Sequence, residues 1–202
     1  MLNRLRGGMT KVMTPIADLL LARGVTPDAV TITGTLVVVV AALTLFPTGH
    51  LLAGSLVIGL FALTDSLDGV MARRSGRSGE WGAFLDSTLD RFGDAAIFAG
   101  LLLWFTGGGD HRLTAVLALA CLVLGSIVPY ARARAEGLGM TAAVGIAERA
   151  DRLLAVLLAT ALVGVGLPRT VLTVVLGLLA VASAVTVLQR MATVRRQAQV
   201  VR

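Results

Sequence analysis

The sequence predicts an all-α membrane protein of six transmembrane helices plus an N-terminal amphipathic interfacial helix. Three observations carry this. Of the 202 residues, 56% are hydrophobic and only 15% charged, against about 25% charged in a soluble domain. Mean hydropathy is +0.85. Apolar runs near 20 residues recur along the chain, each long enough to cross a hydrocarbon core of about 30 Å. A secreted domain, a disordered chain and a soluble enzyme are excluded. The single cysteine, Cys121, cannot form an intrachain disulfide and reads as a small buried hydrophobe.

The segment before the first span, residues 1–25, places Leu2, Leu5, Met9, Val12, Met13, Ile16, Leu19 and Leu20 at helical spacing, with Arg4, Arg6 and Lys11 between them. It lacks the unbroken apolar core and cleavage site of a secretory signal. An amphipathic helix on the inner leaflet is the expectation, and an ordinary packing helix the alternative. Thr14-Pro15 and Thr26-Pro27 each pair an N-cap with a proline at the first helical position, and Asp28 then falls in a first turn, where the helix dipole favours it.

The six spans are expected at Val30–Phe46, Leu51–Ala72, Gly82–Phe105, Leu113–Ala131, Leu153–Leu167 and Val171–Leu188, within a catalytic domain of residues 26–190 followed by a basic tail, 191–202. With the N-terminus inside, fifteen of the 18 Lys and Arg residues fall in inner segments. Only Arg112 and Arg169 lie outside, and Arg91 is embedded. This positive-inside bias predicts cytoplasmic termini in the cell membrane. It also accounts for the net charge of +6 without a nucleic-acid partner.

The chemistry lies between Thr64 and Asp94. Asp65 and Asp68 are three apart in the second span, and Gly69 and Ala72 continue the Asp65 face. Asp86 and Asp90 sit four apart in the third span, in one row with Gly82. An ionised Asp at the bilayer centre costs roughly 2.5–3.5 kcal/mol. Four would cost roughly 10–14 kcal/mol, comparable with a whole domain's stability of about 5–15 kcal/mol. Such a cluster needs water or cations to offset it, and Arg91 neutralises one carboxylate at most. Salt bridges to Arg73, Arg74 and Arg91 are the structural alternative. Divalent metal is the stronger reading, because hard carboxylate oxygens suit Mg²⁺ or Mn²⁺ and four of them can bridge two ions for displacement at phosphorus. The small residues Gly69, Ala72, Gly82 and Ala83 leave room beside them, or allow close helix packing.

The pattern Asp65-x2-Asp68-Gly69-x2-Ala72-Arg73-x8-Gly82-x3-Asp86-x3-Asp90 matches, without a gap, the signature of the CDP-alcohol phosphotransferases, a family this chain resembles along its whole length. The resemblance implies transfer of a phosphatidyl-type group from a CDP-linked lipid to an alcohol, with release of CMP. It implies that Asp65, Asp68, Asp86 and Asp90 hold two divalent cations, and that Asp90 also acts as general base on the acceptor hydroxyl. Gly69, Ala72 and Gly82 would admit cytidine, Arg73 would grip a phosphate, and Asp28 and Thr31 resemble the family's nucleotide-contacting Pro-Asp/Asn-x-x-Thr element. A homodimer is expected on the same ground.

Acceptor identity is expected to lie in the second inner cluster, Tyr130 to Arg152, with Arg190. Arg132, Arg149, Arg152 and Arg190 are either positive-inside anchors or ligands for an anionic acceptor, since guanidinium grips phosphate in bidentate fashion. The stretches RARAEGLG…GIAERADRL and TPIA…GVTPDAVTITGT are similar to the actinobacterial phosphatidylinositol phosphate synthases within this family. That similarity implies CDP-diacylglycerol as donor and inositol 3-phosphate as acceptor. Pro129 and Arg132 depart from the Ser and Lys common there; the first lacks a hydroxyl donor and the second keeps the charge with another geometry. Glycerol 3-phosphate is the nearest alternative acceptor. A cation-coupled transporter is the alternative of another class, but the sequence has no second acidic cluster and no internal repeat.

Overall fold

The computed structural model describes residues 13–62, 64–76, 79–146 and 148–200, apart from the side chains of 64–66 and 200. The first part of the expected amphipathic segment, with Arg4, Arg6 and Lys11, lies outside the described residues, as do Arg77 and Arg202. Every regular element among the described residues is helical. These are α1 (Met13–Ala22), then α2 (Pro27–Leu45), α3 (Leu51–Ala62), α4 (Thr64–Ser75), α5 (Glu80–Thr106), α6 (Arg112–Glu136), α7 (Arg149–Gly164) and α8 (Thr170–Val200).

Among the described residues four stretches are long and apolar enough to cross a membrane: Pro27–Leu45, Leu51–Ser75 (α3 with α4), Arg112–Glu136 and Thr170–Gln199. The expected six transmembrane helices plus an interfacial helix are corrected accordingly. The fold remains all-α and multi-pass. The expected span Gly82–Phe105 falls within α5, whose stretch from Asp86 to Asp94 carries Asp86, Asp90, Arg91 and Asp94 and so interrupts the apolar run. The expected span Leu153–Leu167 falls largely in α7, which has 16 residues and reaches about 24 Å at 1.5 Å per residue, short of the hydrocarbon core. Large apolar side chains face outward along the qualifying helices, with Leu36 60% and Leu178 66% exposed. In water such faces mark interaction sites; here they are the surface a bilayer covers.

The chain divides into two compact units, one of Met1–Ala41 with Leu56–Gly93, the other of Ala42–Ser55 with Asp94–Arg202. In the first, α1 lays Ala17 against Leu67, Val70 and Met71 of α4, with Met13, Leu20, Leu21, Val25 and Val30 packed around them. The alternative of an ordinary packing helix therefore fits α1. Arg74 adds a bidentate pair to Asp18, Nε to Oδ1 at 2.5 Å and Nη2 to Oδ2 at 3.0 Å. Both side chains are about half exposed, so the pair contributes at most about 1 kcal/mol. α2 starts as its sequence requires, with the Thr26 hydroxyl accepting from the Ala29 amide at 3.2 Å and Pro27 as the first helical residue.

In the second unit, α6 and α7 pack on α8. Close approach depends on missing side chains: a methyl group at Gly100 would collide with the Ala42 carbonyl, and one at Gly164 with the Leu52 backbone. Cys121 is buried and donates to the Leu176 carbonyl. α8 continues as helix through the residues expected to form the basic tail as far as Val200.

Candidate active site

The first unit contains a cavity of about 270 Å³. Its walls come from the start of α2 (Pro27, Asp28, Thr31), from α4 (Asp68, Gly69, Ala72, Arg73) and from the approach and first turns of α5 (Gly79, Gly82, Ala83, Asp86). All six residues expected to meet the nucleotide line it, together with two of the four expected metal ligands. Helical spacing explains the convergence: Asp68 and Ala72 are four apart on α4, and Gly82 and Asp86 four apart on α5. A Cβ added at Gly82 would meet nothing within 4 Å, and one at Gly69 would meet only the end of Arg73 at 3.5 Å. Both glycines border open space in the cavity.

Asp68 is buried, 7% exposed. The Thr31 hydroxyl lies 2.5 Å from its Oδ2 and 3.2 Å from the Pro27 carbonyl. A hydroxyl has one proton, and the shorter contact, to a carboxylate, takes it. Thr31 thus orients Asp68, in addition to lining the cavity. Asp28 in turn accepts from the Trp81 indole, Nε1 to Oδ2 at 3.1 Å. Trp81 is 62% exposed and its ring centroid lies 6.0 Å from that of Phe84. Sequence spacing does not single out Trp81, because its role depends on α2 and α5 meeting.

Asp90 does not line this cavity; its carboxylate lies 3.6 Å from Nη2 of Arg91. Asp65 falls on α4 one turn before Asp68, with its side chain outside the described residues. Among the described residues no three His, Cys, Asp or Glu side chains form a group close enough to hold a metal. The donors present nonetheless suit a hard divalent cation. Asp68 and Asp86 offer carboxylate oxygens to one open cavity, and Thr31 supplies the outer-shell hydrogen bond that fixes such a ligand.

The arginines expected at the acceptor belong to the second unit and differ among themselves. Arg132 pairs with Glu136 one turn along α6, Nε to Oε1 at 2.8 Å, on an exposed face. Arg190 donates from Nε to the Val144 carbonyl at 3.0 Å and from Nη1 to the Val128 carbonyl. It thereby ties α8 to α6 and to the loop before α7. The same loop is seated by the Ile146 amide donating to Thr186 at 3.2 Å, with Gly145 at φ +151° against that threonine. Arg149 and Arg152 instead share one carboxylate: Asp94 Oδ1 accepts from Arg149 Nε at 3.1 Å, and Oδ2 lies 3.6 Å from Arg152 Nη2.

Asp94 is the residue the signature misses, since the signature ends at Asp90. One signal for it exists in the sequence: it extends the Asp86, Asp90 row of α5 by one more turn. Arg149 and Arg152 stand in the first turn of α7, where Glu148 provides no side-chain cap. A cation at a helix N-terminus is opposed by about 0.3–1 kcal/mol, and burying Arg152 at 3% exposure adds desolvation. Asp94 supplies a carboxylate to both, and Asp151 lies in the same first turn.

The sequence profile of the CDP-alcohol phosphatidyltransferase family matches residues 24–185. The chain is 51% identical to a phosphatidylinositol phosphate synthase of Cutibacterium acnes, over 97% of this chain and 98% of that one. It is 46% identical to the corresponding synthase of Streptomyces avermitilis, over 98% of this chain and 84% of the other. Among solved structures it resembles the Mycobacterium tuberculosis phosphatidylinositol phosphate synthase with CDP-DAG bound, at a TM-score of 0.88 and 44% identity, covering 91% of this chain and 94% of that one. The same enzyme in complex with manganese and citrate matches at 0.85 and 44%, covering 90% and 88%. With its signature intact and its cavity lined by that signature, the chain belongs to the CDP-alcohol phosphatidyltransferase family.

Proposed function

We propose that this protein transfers the phosphatidyl group of CDP-diacylglycerol to inositol 3-phosphate, forming phosphatidylinositol phosphate and CMP. The observation that carries the reading is the cavity in which Asp28, Thr31, Gly69, Ala72, Arg73 and Gly82 surround Asp68 and Asp86. Gly69, Ala72 and Gly82 leave space for the cytidine, and Arg73 grips a phosphate. Asp65, Asp68, Asp86 and Asp90 hold two divalent cations, Mg²⁺ or Mn²⁺. When bound, these ions neutralise the pyrophosphate and the charge that develops as CMP departs.

Asp90 accepts the proton of the acceptor hydroxyl. The hydroxyl oxygen forms the new bond to phosphorus, and the bond from that phosphorus to the CMP oxygen breaks. Arg149 and Arg152 bind the acceptor phosphate, joined by Arg190. In this reading the active site and both termini are cytoplasmic and the protein sits in the cell membrane. Membrane lipids surround the chain, and the working unit is a homodimer.

A panel of alcohols tests the reading: inositol, inositol 3-phosphate, glycerol and glycerol 3-phosphate, each with CDP-diacylglycerol and Mg²⁺ or Mn²⁺, with products identified by mass. The reading predicts phosphatidylinositol phosphate as the dominant product. Dominant phosphatidylglycerol phosphate would reassign the acceptor, and no CMP with any alcohol would overturn the reaction itself.

A further inference from the structure

We infer that Asp94 is a positioning residue for the acceptor: its buried carboxylate sets the guanidinium groups of Arg149 and Arg152 so that they grip one phosphate together. This rests on the reading of those two arginines as acceptor ligands. Asp94 is 6% exposed and puts one carboxylate oxygen toward each arginine, 3.1 Å from Arg149 Nε and 3.6 Å from Arg152 Nη2. The two arginines are three apart at the start of α7, so they share a helix face. Long side chains on one face do not by themselves point at one ligand, because each has many rotamers to lose. A carboxylate that contacts both restricts those rotamers before the ligand arrives, which is how preorganisation raises affinity. Guanidinium groups held together in this way are suited to a phosphate monoester, which carries about −1.5 to −2 at neutral pH.

The reaction uses Asp94 only through the arginines, so its variants separate acceptor binding from donor binding. The test is CMP release by the full-length protein in lipid nanodiscs, with Mg²⁺, inositol 3-phosphate and CDP-diacylglycerol varied in turn. Asp94→Asn removes the charge and keeps the shape; Asp94→Glu keeps the charge and moves the carboxylate outward by one methylene. Asp94→Asn is expected to raise the acceptor KM at least about 10-fold, with the CDP-diacylglycerol KM changed less than about 2-fold. Asp94→Glu is expected to raise the acceptor KM by an intermediate factor, about 3-fold or more.

A wild-type acceptor KM in Asp94→Glu overturns the inference, because charge balance alone then suffices; this variant decides the matter if Asp94→Asn does not fold. Equal rises in both KM values overturn it too, as a general structural defect. Arg149→Ala and Arg152→Ala in the same assay test the underlying reading separately. If neither changes the acceptor KM, that reading fails and takes this inference with it. If both raise it while the Asp94 variants match wild type, the reading stands and the role of Asp94 falls.

Discussion

The cavity of the first unit and the arginine cluster of the second are both charged sites in an apolar chain, yet they are built in opposite ways. The α4 and α5 walls of the cavity are assembled by short-range spacing, and the start of α2 joins them from a distance, Thr31 meeting Asp68 across 37 residues. Asp68 and Ala72 on α4, and Gly82 and Asp86 on α5, follow a four-residue helical period, and α5 begins five positions after the last residue of α4. The arginine cluster is assembled by long-range contacts: Asp94 meets Arg149 across 55 residues, and Arg190 meets Val128 across 62. Carboxylates are scarce in this chain and costly in a membrane, so each one carries information. Arginines are plentiful on the inner side of any membrane protein, so each one needs a contact before it means anything.

The largest effect that would sharpen this contrast is expected at Asp90. Asp90→Asn should lower kcat by about 10²- to 10⁴-fold, the range for removing a general base, while CDP-diacylglycerol binding stays measurable. Wild-type turnover in that variant returns Asp90 to a structural partner of Arg91. Next comes Arg152, which is buried beside Asp94. Truncating one member of a buried charge pair at a binding site costs about 2–5 kcal/mol, so Arg152→Ala should raise the acceptor KM about 30-fold or more. Acceptor kinetics measured against those of the donor check it.

Thr31 tests whether the cavity works as a metal site. Thr31→Val keeps the shape and removes the hydrogen bond to Asp68 Oδ2. Loss of an outer-shell partner typically costs about 10- to 100-fold in metal affinity, so the Mn²⁺ concentration for half-maximal activity should rise by about that factor. The smallest effect is expected at Arg132, whose exposed pair with Glu136 contributes about 0.2–1 kcal/mol. Arg132→Ala should therefore leave acceptor kinetics within about 5-fold of wild type. A larger loss would move Arg132 from helix surface to ligand.

The same contrast explains what was legible in the sequence. Thr26 as N-cap with Pro27 behind it and the single row of Gly82, Asp86 and Asp90 are local consequences of residue type and helical period, and they could be read directly; the nucleotide roles of Asp28, Thr31 and Arg73 follow from the family signature and not from spacing. The span count could not be read directly. Residues 82–105 are apolar enough in composition to read as a span, but three aspartates and an arginine concentrate between Asp86 and Asp94 of α5. The stretch from Leu153 is apolar too, yet α7 ends at Gly164, before Pro168. The face of α1 was ambiguous, because the period that suits a membrane surface also suits packing on Leu67 and Met71. Trp81 and Asp94 carry no local mark of their partners. Their roles follow from which helices meet, and spacing along one helix does not encode that.

Whether the aspartates of α4 and α5 work by holding divalent cations is tested by CMP release from CDP-diacylglycerol and inositol 3-phosphate as Mn²⁺ is titrated into chelator-stripped protein, for wild type and Asp86→Asn. The expected result is no turnover without the ion, saturable recovery in wild type, and a curve for Asp86→Asn shifted to much higher Mn²⁺ or abolished. Undiminished CMP release in excess chelator, or superimposable titrations of the two proteins, would contradict it.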